Sequence, residues 1–191
     1  MAENEAKTRI PMLERDQVSS ELGTLYDALL KQRGVVPNMF KTVANVPALA
    51  LGFAALLKPL LSDGFLPAWY KELVATRMSV LQGSQYAVTA HSLSARQKGA
   101  GEEHIIAVKG DFEGGPFTEA EKLGLQCADR LHHSASEIDD DFYAKLKAVY
   151  DDRQIVELIA TAAVFEFFPR FVDALRIPVT PVPQNSLTRQ V

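Results

Sequence analysis

The chain has 191 residues, 47% of them hydrophobic and 23% charged, and a formal net charge of −4; this suits one domain, or one built from two similar halves, that buries roughly 70% of its unfolded surface. The absence of a basic run argues against nucleic acid, and no apolar stretch nears the ~20 residues that span a bilayer. Met1 to Lys7 carries no hydrophobic signal region, so a cytoplasmic location is expected, and a single cysteine, Cys127, excludes an intrachain disulfide.

Residues 1–15 are polar and expected to be mobile up to Ile10-Pro11-Met12. From Gln17 the pattern turns helical: Val18, Leu22, Leu25, Tyr26 and Leu29 recur at three- and four-residue steps and form one apolar stripe. Gly34 ends that helix and Pro37-Asn38 restarts the chain. A short helix is expected over Met39–Val43. Pro47 suits a first helical position, with Leu49–Leu61 following, and Ser62-Asp63-Gly64 is a turn signal. Pro67 opens a helix to about Gln82. Gly83 supplies a left-handed stop, and Ser84 can cap the next helix, which runs to about Gly99. A short helix over Glu102–Lys109 precedes a glycine-rich loop, Gly110–Pro116. Thr118 and Glu121 form a capping-box pattern for a helix to about His132. Two more helices are expected near Asp139–Tyr150 and Asp152–Arg176, the latter interrupted by Pro169. The proline-rich tail from Ile177 cannot be helical, and is expected to stay loose or lie over a neighbouring subunit. No run alternates with a period of two, so the class is all-α. A single helical domain is expected over 16–176, between the mobile segment 1–15 and the tail 177–191.

The segment Glu72-Leu73-Val74-Ala75-Thr76 recurs as Glu157-Leu158-Ile159-Ala160-Thr161. At the same offset the Gly83-Ser84 break falls on Phe168-Pro169. This predicts an internal pseudo-repeat of a two-helix unit, with a site-bearing half near 35–110 and a degenerate half near 117–176. Chance similarity between two helices of common composition is the alternative. The second copy carries Pro169, Val172 and Arg176 where the first has Ser84, Ala87 and His91, so any site belongs to the first half.

On a helix Ser84, Ala87 and His91 share one face, which Ser94 and Ala95 continue. Seven residues at ~1.5 Å each separate Ser84 from His91 by ~10 Å along the axis, which disfavours a direct serine–histidine nucleophile. Ser84 therefore reads as a helix cap, or as a hydrogen-bond donor to a substrate. His91 reads either as a structural histidine or as a general acid or base, since an imidazole titrates near ~6.5. Glu72 is either a solvated glutamate or the partner of His91, which requires the two helices to fold back antiparallel at Gly83. Tyr86 points away from the Ala87 face and packs; with Ser84 and Ala87 it completes the expected substrate-binding set. Arg77 and Arg96 are available cations that no spacing singles out. Cys127, at helical steps from Ala120, Leu123 and Leu131, reads as a buried structural thiol. His132 and His133 point in different directions, so no metal site is expected there, and His104 has no partner in sequence.

Val36-Pro37-Asn38-Met39-Phe40, Pro47, Lys71-Glu72-Leu73, Gly83 to His91, Ala95 and Gly99 together resemble the alkylhydroperoxidase D-like (AhpD-like) and carboxymuconolactone decarboxylase superfamily, in its longer peroxidase-related branch. The resemblance is strongest over residues 35–110. It implies an all-helical, internally duplicated fold, and homo-oligomers (trimers or hexamers, with a dimer as another option) whose helices pack across subunits. The family pattern is an acid, a C-x-x-C pair and a histidine, which places Ser84 and Ala87 at the two cysteine positions. The family's peroxidase members use those thiols, and serine and alanine cannot. Its decarboxylase members lack the pair, keep a proton-handling histidine, act on small carboxylated lactones, and need no metal or organic cofactor. The expected function is thus a cofactor-independent acid–base enzyme of the decarboxylase or lyase type on a small organic acid. Glu72 and His91 would be catalytic, and Ser84, Ala87 and Tyr86 would bind substrate. The alternatives are a redox-dead binding or scaffold oligomer, and a peroxidase-related antioxidant protein working without the cysteine pair.

Overall fold

The computed structural model describes residues 8–181. Among the described residues the regular structure is entirely helical, with nine α-helices, two 3-10 turns and no strand. No helix among them is long and apolar enough to cross a membrane. The chain divides into two compact units, Met1–Leu57 with Val172–Val191, and Lys58–Phe171.

The first unit holds α1 (Ser20–Arg33), α2 (Asn38–Val43) and most of α3 (Pro47–Leu61). Helix α1 starts later than the apolar stripe suggests. Arg15–Gln17 form a separate 3-10 turn, and the Ser19 hydroxyl accepts the Leu22 amide and caps the helix. Gly34 stops it at φ 72°. Leu22, Tyr26 and Leu29 are buried as the stripe requires, whereas Val18 lies outside the helix. The N-terminal segment departs from expectation, because from Thr8 onward it is tied down. Arg9 N–H donates to Leu175 O at 3.0 Å, Leu13 N–H to Lys41 O at 2.9 Å, and Asn45 Nδ2 to Pro11 O at 2.8 Å. Residues 1–7, also expected to be mobile, lie outside the described residues. The start of the proline-rich tail is likewise not loose. Ile177 is buried, Asn38 N–H donates to Thr180 Oγ1 at 3.0 Å, and Asn38 Nδ2 donates to Pro178 O at 3.1 Å. Residues 182–191 of the tail lie outside the described residues.

The second unit holds α4 (Ala68–Leu81), α5 (Gln85–Gln97), α6 (Glu102–Lys109), α7 (Glu119–His133), α8 (Asp140–Val149) and all but the last turn of α9 (Asp152–Ala174). Helix α4 is its centre. Every residue from Tyr70 to Thr76 is buried, and Lys71, Glu72, Thr76 and Ser79 have no exposed surface. A helix buried all round has no polar face, so each of these side chains must find a partner inside. Lys71 donates to Glu157 Oε2 at 3.3 Å and to Pro59 O at 3.2 Å. Glycine lets α7 approach closely: a methyl group at Gly124 would sit 2.2 Å from Tyr70 Oη. Thr118 and Glu121 close the capping box of α7, and Asp139 caps α8 through the Phe142 amide.

The α4–α5 junction behaves as its sequence suggests. Gly83 adopts φ 70°, with Gly83 N–H on Val80 O and Ser84 N–H on Ser79 O, each at 3.0 Å. This paired closure satisfies the last carbonyls of α4 and reverses the chain. Ser84 holds the N-cap position of α5, but its hydroxyl does not make the capping bond, which corrects the expected cap.

The second expected break is absent. Helix α9 continues through Pro169. The proline removes the amide that would bond Phe165 O, and Gln82 Nε2 takes its place on that carbonyl at 2.6 Å. The pentapeptide echo survives locally: Thr76 Oγ1 donates to Glu72 O at 2.8 Å, and Thr161 Oγ1 to Glu157 O at 2.7 Å. Each glutamate also meets a lysine, Glu72 with Lys98 and Glu157 with Lys71.

Candidate active site

Glu72, near the start of α4, faces the second half of α5. This is the antiparallel return that Gly83 permits. His91 Nδ1 lies 2.7 Å from Glu72 Oε2, and Ser94 Oγ donates to Glu72 Oε1 at 2.6 Å. Lys98 Nζ also donates to Glu72 Oε1, and to Leu61 O at 2.5 Å. The carboxylate has no exposed surface, while the His91 side chain keeps 13% of its own. Burial pushes the Glu72 carboxyl up. The hydrogen bond and charge of His91, followed by the charge and hydrogen bond of Lys98, outweigh it and hold the group down to about 2. Glu72 is therefore a fixed anion at neutral pH. It accepts the Nδ1 proton of His91 and leaves Nε2 as the exchangeable ring position. The edge of the ring packs on Phe165 of α9, centroids 4.4 Å apart at 76°.

Lys98 reaches this carboxylate because of how α5 ends. Lys98 is the C-cap residue, Gly99 follows at φ 104°, and Ala100 N–H returns to Ala95 O at 3.0 Å. This closure sets the lysine beside the α3 terminus, whose carbonyls favour a cation.

The structure unites Glu72 with His91, the second of the two readings open to Glu72 in the sequence. Ser84, Tyr86 and Ala87 are buried at the start of α5, at the opposite end of that helix from Lys98. Arg77 and Arg96 serve elsewhere: Arg77 makes paired bonds to Asp129 at 2.6 and 2.7 Å, and Arg96 pairs with Glu102. Cys127 has no exposed surface, and burial pushes its thiol up to about 11. Among the described residues no group of three or more histidine, cysteine, aspartate or glutamate side chains could hold a metal ion.

Sequence reasoning missed Lys98 and Phe165 and gave Ser94 no role. The signal for two of them was present, since His91, Ser94 and Lys98 continue the same three- and four-residue steps that link Ser84, Ala87 and His91. Phe165 comes from α9 and left no local signal.

The carboxymuconolactone decarboxylase family model matches residues 47–116, a span holding all of α3 to α6. The uncharacterized protein YdfG of Bacillus subtilis (strain 168) is 26% identical over 90 residues, covering 47% of this chain and 61% of that protein. Solved structures share the fold across nearly the whole length. The AhpD-core, peroxidase-related protein of Ralstonia eutropha JMP134 superposes with TM-score 0.83 at 19% identity, over 91% of this chain and 92% of that one. A peroxidase-related protein from Silicibacter sp. TM1040 gives 0.85 at 19% identity, covering 94% and 95%. The debrominase Bmp8, as a cysteine-to-alanine variant in complex with 2,3,4-tribromopyrrole, gives 0.81 at 22% identity, covering 95% and 97%. Residues 47–116 thus match the carboxymuconolactone decarboxylase family model, and the chain shares the helical fold of AhpD-like, peroxidase-related structures.

Proposed function

We propose that the chain is a cofactor-independent acid–base enzyme acting on a small organic acid, of the decarboxylase or lyase type and without thiol peroxidase activity. The observation that carries this reading is the Glu72–His91 pair: a buried anion fixes the tautomer of a ring that retains contact with solvent. Such an arrangement supports proton transfer at Nε2. When carbon dioxide leaves a carboxylate, the electron pair of the broken carbon–carbon bond stays on the substrate carbon, next to a group that delocalises it. The His91 imidazolium gives that carbon a proton and is recharged from water. Glu72 holds the ring throughout and does not itself exchange the proton, because its carboxyl stays ionised. Ser84, Tyr86 and Ala87 would line the substrate site at the start of the same helix.

The chain's single cysteine supports the loss of peroxidase chemistry. A buried thiol held up to about 11 carries little thiolate at neutral pH. The closeness and burial of Glu72 and His91 also favour an enzyme over a scaffold, in which nothing requires such a pair.

The test is carbon dioxide release from a panel of small carboxylated lactones. One or more should turn over, and His91→Gln should lower kcat by about 10²-fold or more. Peroxide consumption with a dithiol reductant should stay at the uncatalysed rate. Turnover unchanged in His91→Gln, or peroxidase activity equal to that of a cysteine-containing relative, would overturn the proposal.

A further inference from the structure

A buried carboxylate whose one ionic partner is an imidazole holds that imidazole protonated, since each charge is the other's sole compensation. Glu72 is not in that position. On Oε2 it meets His91, and on Oε1 it meets both the Lys98 ammonium and the Ser94 hydroxyl. The ammonium is held in turn by Leu61 O, at the last residue of α3. His91 thus meets an anion of α4 and, from α9, the uncharged Phe165, and the anion in turn meets the cation at the C-cap of α5. Lys98 therefore supplies Glu72 with a second compensating charge beside that of His91.

We propose that Lys98 is a positioning residue that sets the charge of the site: by compensating Glu72 it lets His91 release its ring proton more readily than Glu72 alone would allow, while Nδ1–H stays on Glu72. Without Lys98 the ring would hold its second proton more tightly and cycle more slowly. Ser94 adds a neutral hydrogen bond to the same oxygen and contributes geometry rather than charge. This inference rests on reading His91 as the proton-transfer group, but its test needs no substrate.

The experiment is a nitrogen-15 NMR titration of the histidine rings in the full chain, with the His91 signals assigned by their loss in His91→Gln. In the wild-type protein the neutral ring should carry its proton on Nδ1, and its midpoint serves as the reference. Lys98→Met should tighten proton binding at His91 by about tenfold or more, moving the midpoint up by about one pH unit. Lys98→Arg should restore a near wild-type midpoint, and adding Glu72→Gln to Lys98→Met should abolish the gain. A loss of packing alone would not move the midpoint in this charge-dependent order. The inference is overturned by a neutral ring with its proton on Nε2, or by a midpoint that Lys98→Met leaves unchanged or lowers. If Lys98→Met does not fold, Lys98→Gln takes its place under the same criteria. Absence of turnover beside these expected spectra would sink the enzymatic reading and leave this one standing.

Discussion

Glu72 is a carboxylate without solvent, stabilised by three donors from α5 and its C-cap residue. Its acid response follows from that. The folded-state value, about 2, lies below the ordinary value of 4.5. A depressed carboxylate contributes stability that is fully present above its unfolded value and is lost as pH falls through its folded one. The difference corresponds to about 3 kcal/mol. Urea denaturation at a series of pH values between ~5 and ~2 should show stability falling in the wild-type protein, and Glu72→Gln should remove about that much of the fall. The exposed carboxylates Asp27 and Asp151 are also held low by arginines, so the comparison with Glu72→Gln isolates the buried group. A variant with the wild-type acid slope would contradict the assigned charge state. At this scale the sequence was legible where chemistry follows helical spacing: Glu72 and His91 could be paired from the Gly83 turn. Lys98 was less so, because a lysine near a helix end is commonly a solvated one, and only the closure at Gly99 turns it inward.

Between elements, Gln82 accounts for the main difference between sequence and structure. Proline inside a helix costs a backbone hydrogen bond and crowds the preceding turn, so a break at Pro169 was the local expectation. The remedy is non-local. Gln82 lies at the end of α4, and its amide donates to Phe165 O at 2.6 Å and to Met78 O at 3.2 Å, while its Oε1 accepts from Arg170 at 3.3 Å. One side chain thus closes α4 and repairs α9. Gln82→Leu should destabilise the protein by about 1–3 kcal/mol, the cost of an unpaired buried carbonyl. It should also speed hydrogen exchange around Phe165 more than in α7. An unchanged denaturation midpoint would show that Pro169 needs no such repair. Elsewhere the elements were legible to within a few residues. Gly34, Gly83, Thr118 with Glu121, and Asp139 are local stop and start signals whose hydrogen bonds stay within a turn of chain. The held segment from Thr8 and the docked Ile177–Thr180 were not legible, because their partners lie far away in sequence.

For the whole molecule, the resemblance implies assembly, and the surface of α9 makes it testable. Val156 is 67% exposed and Phe167 48% exposed. With the exposed Ala163 between them, they recur at seven- and four-residue steps and so lie along one helical face. Two large apolar side chains aligned on one stripe are a different case from scattered exposed leucines, which need no explanation. A second copy of the chain is the occupant we expect, and burying this face would remove both side chains from water, at about 1.5–3 kcal/mol each. Sedimentation equilibrium at micromolar concentration should therefore give a mass that is a multiple of 21.0 kDa. The double substitution Val156→Glu with Phe167→Glu should lower that mass while leaving helical content intact, because both positions face outward. A wild-type protein that sediments at 21.0 kDa, or a double variant that keeps the wild-type mass, would remove this stripe from any role in assembly.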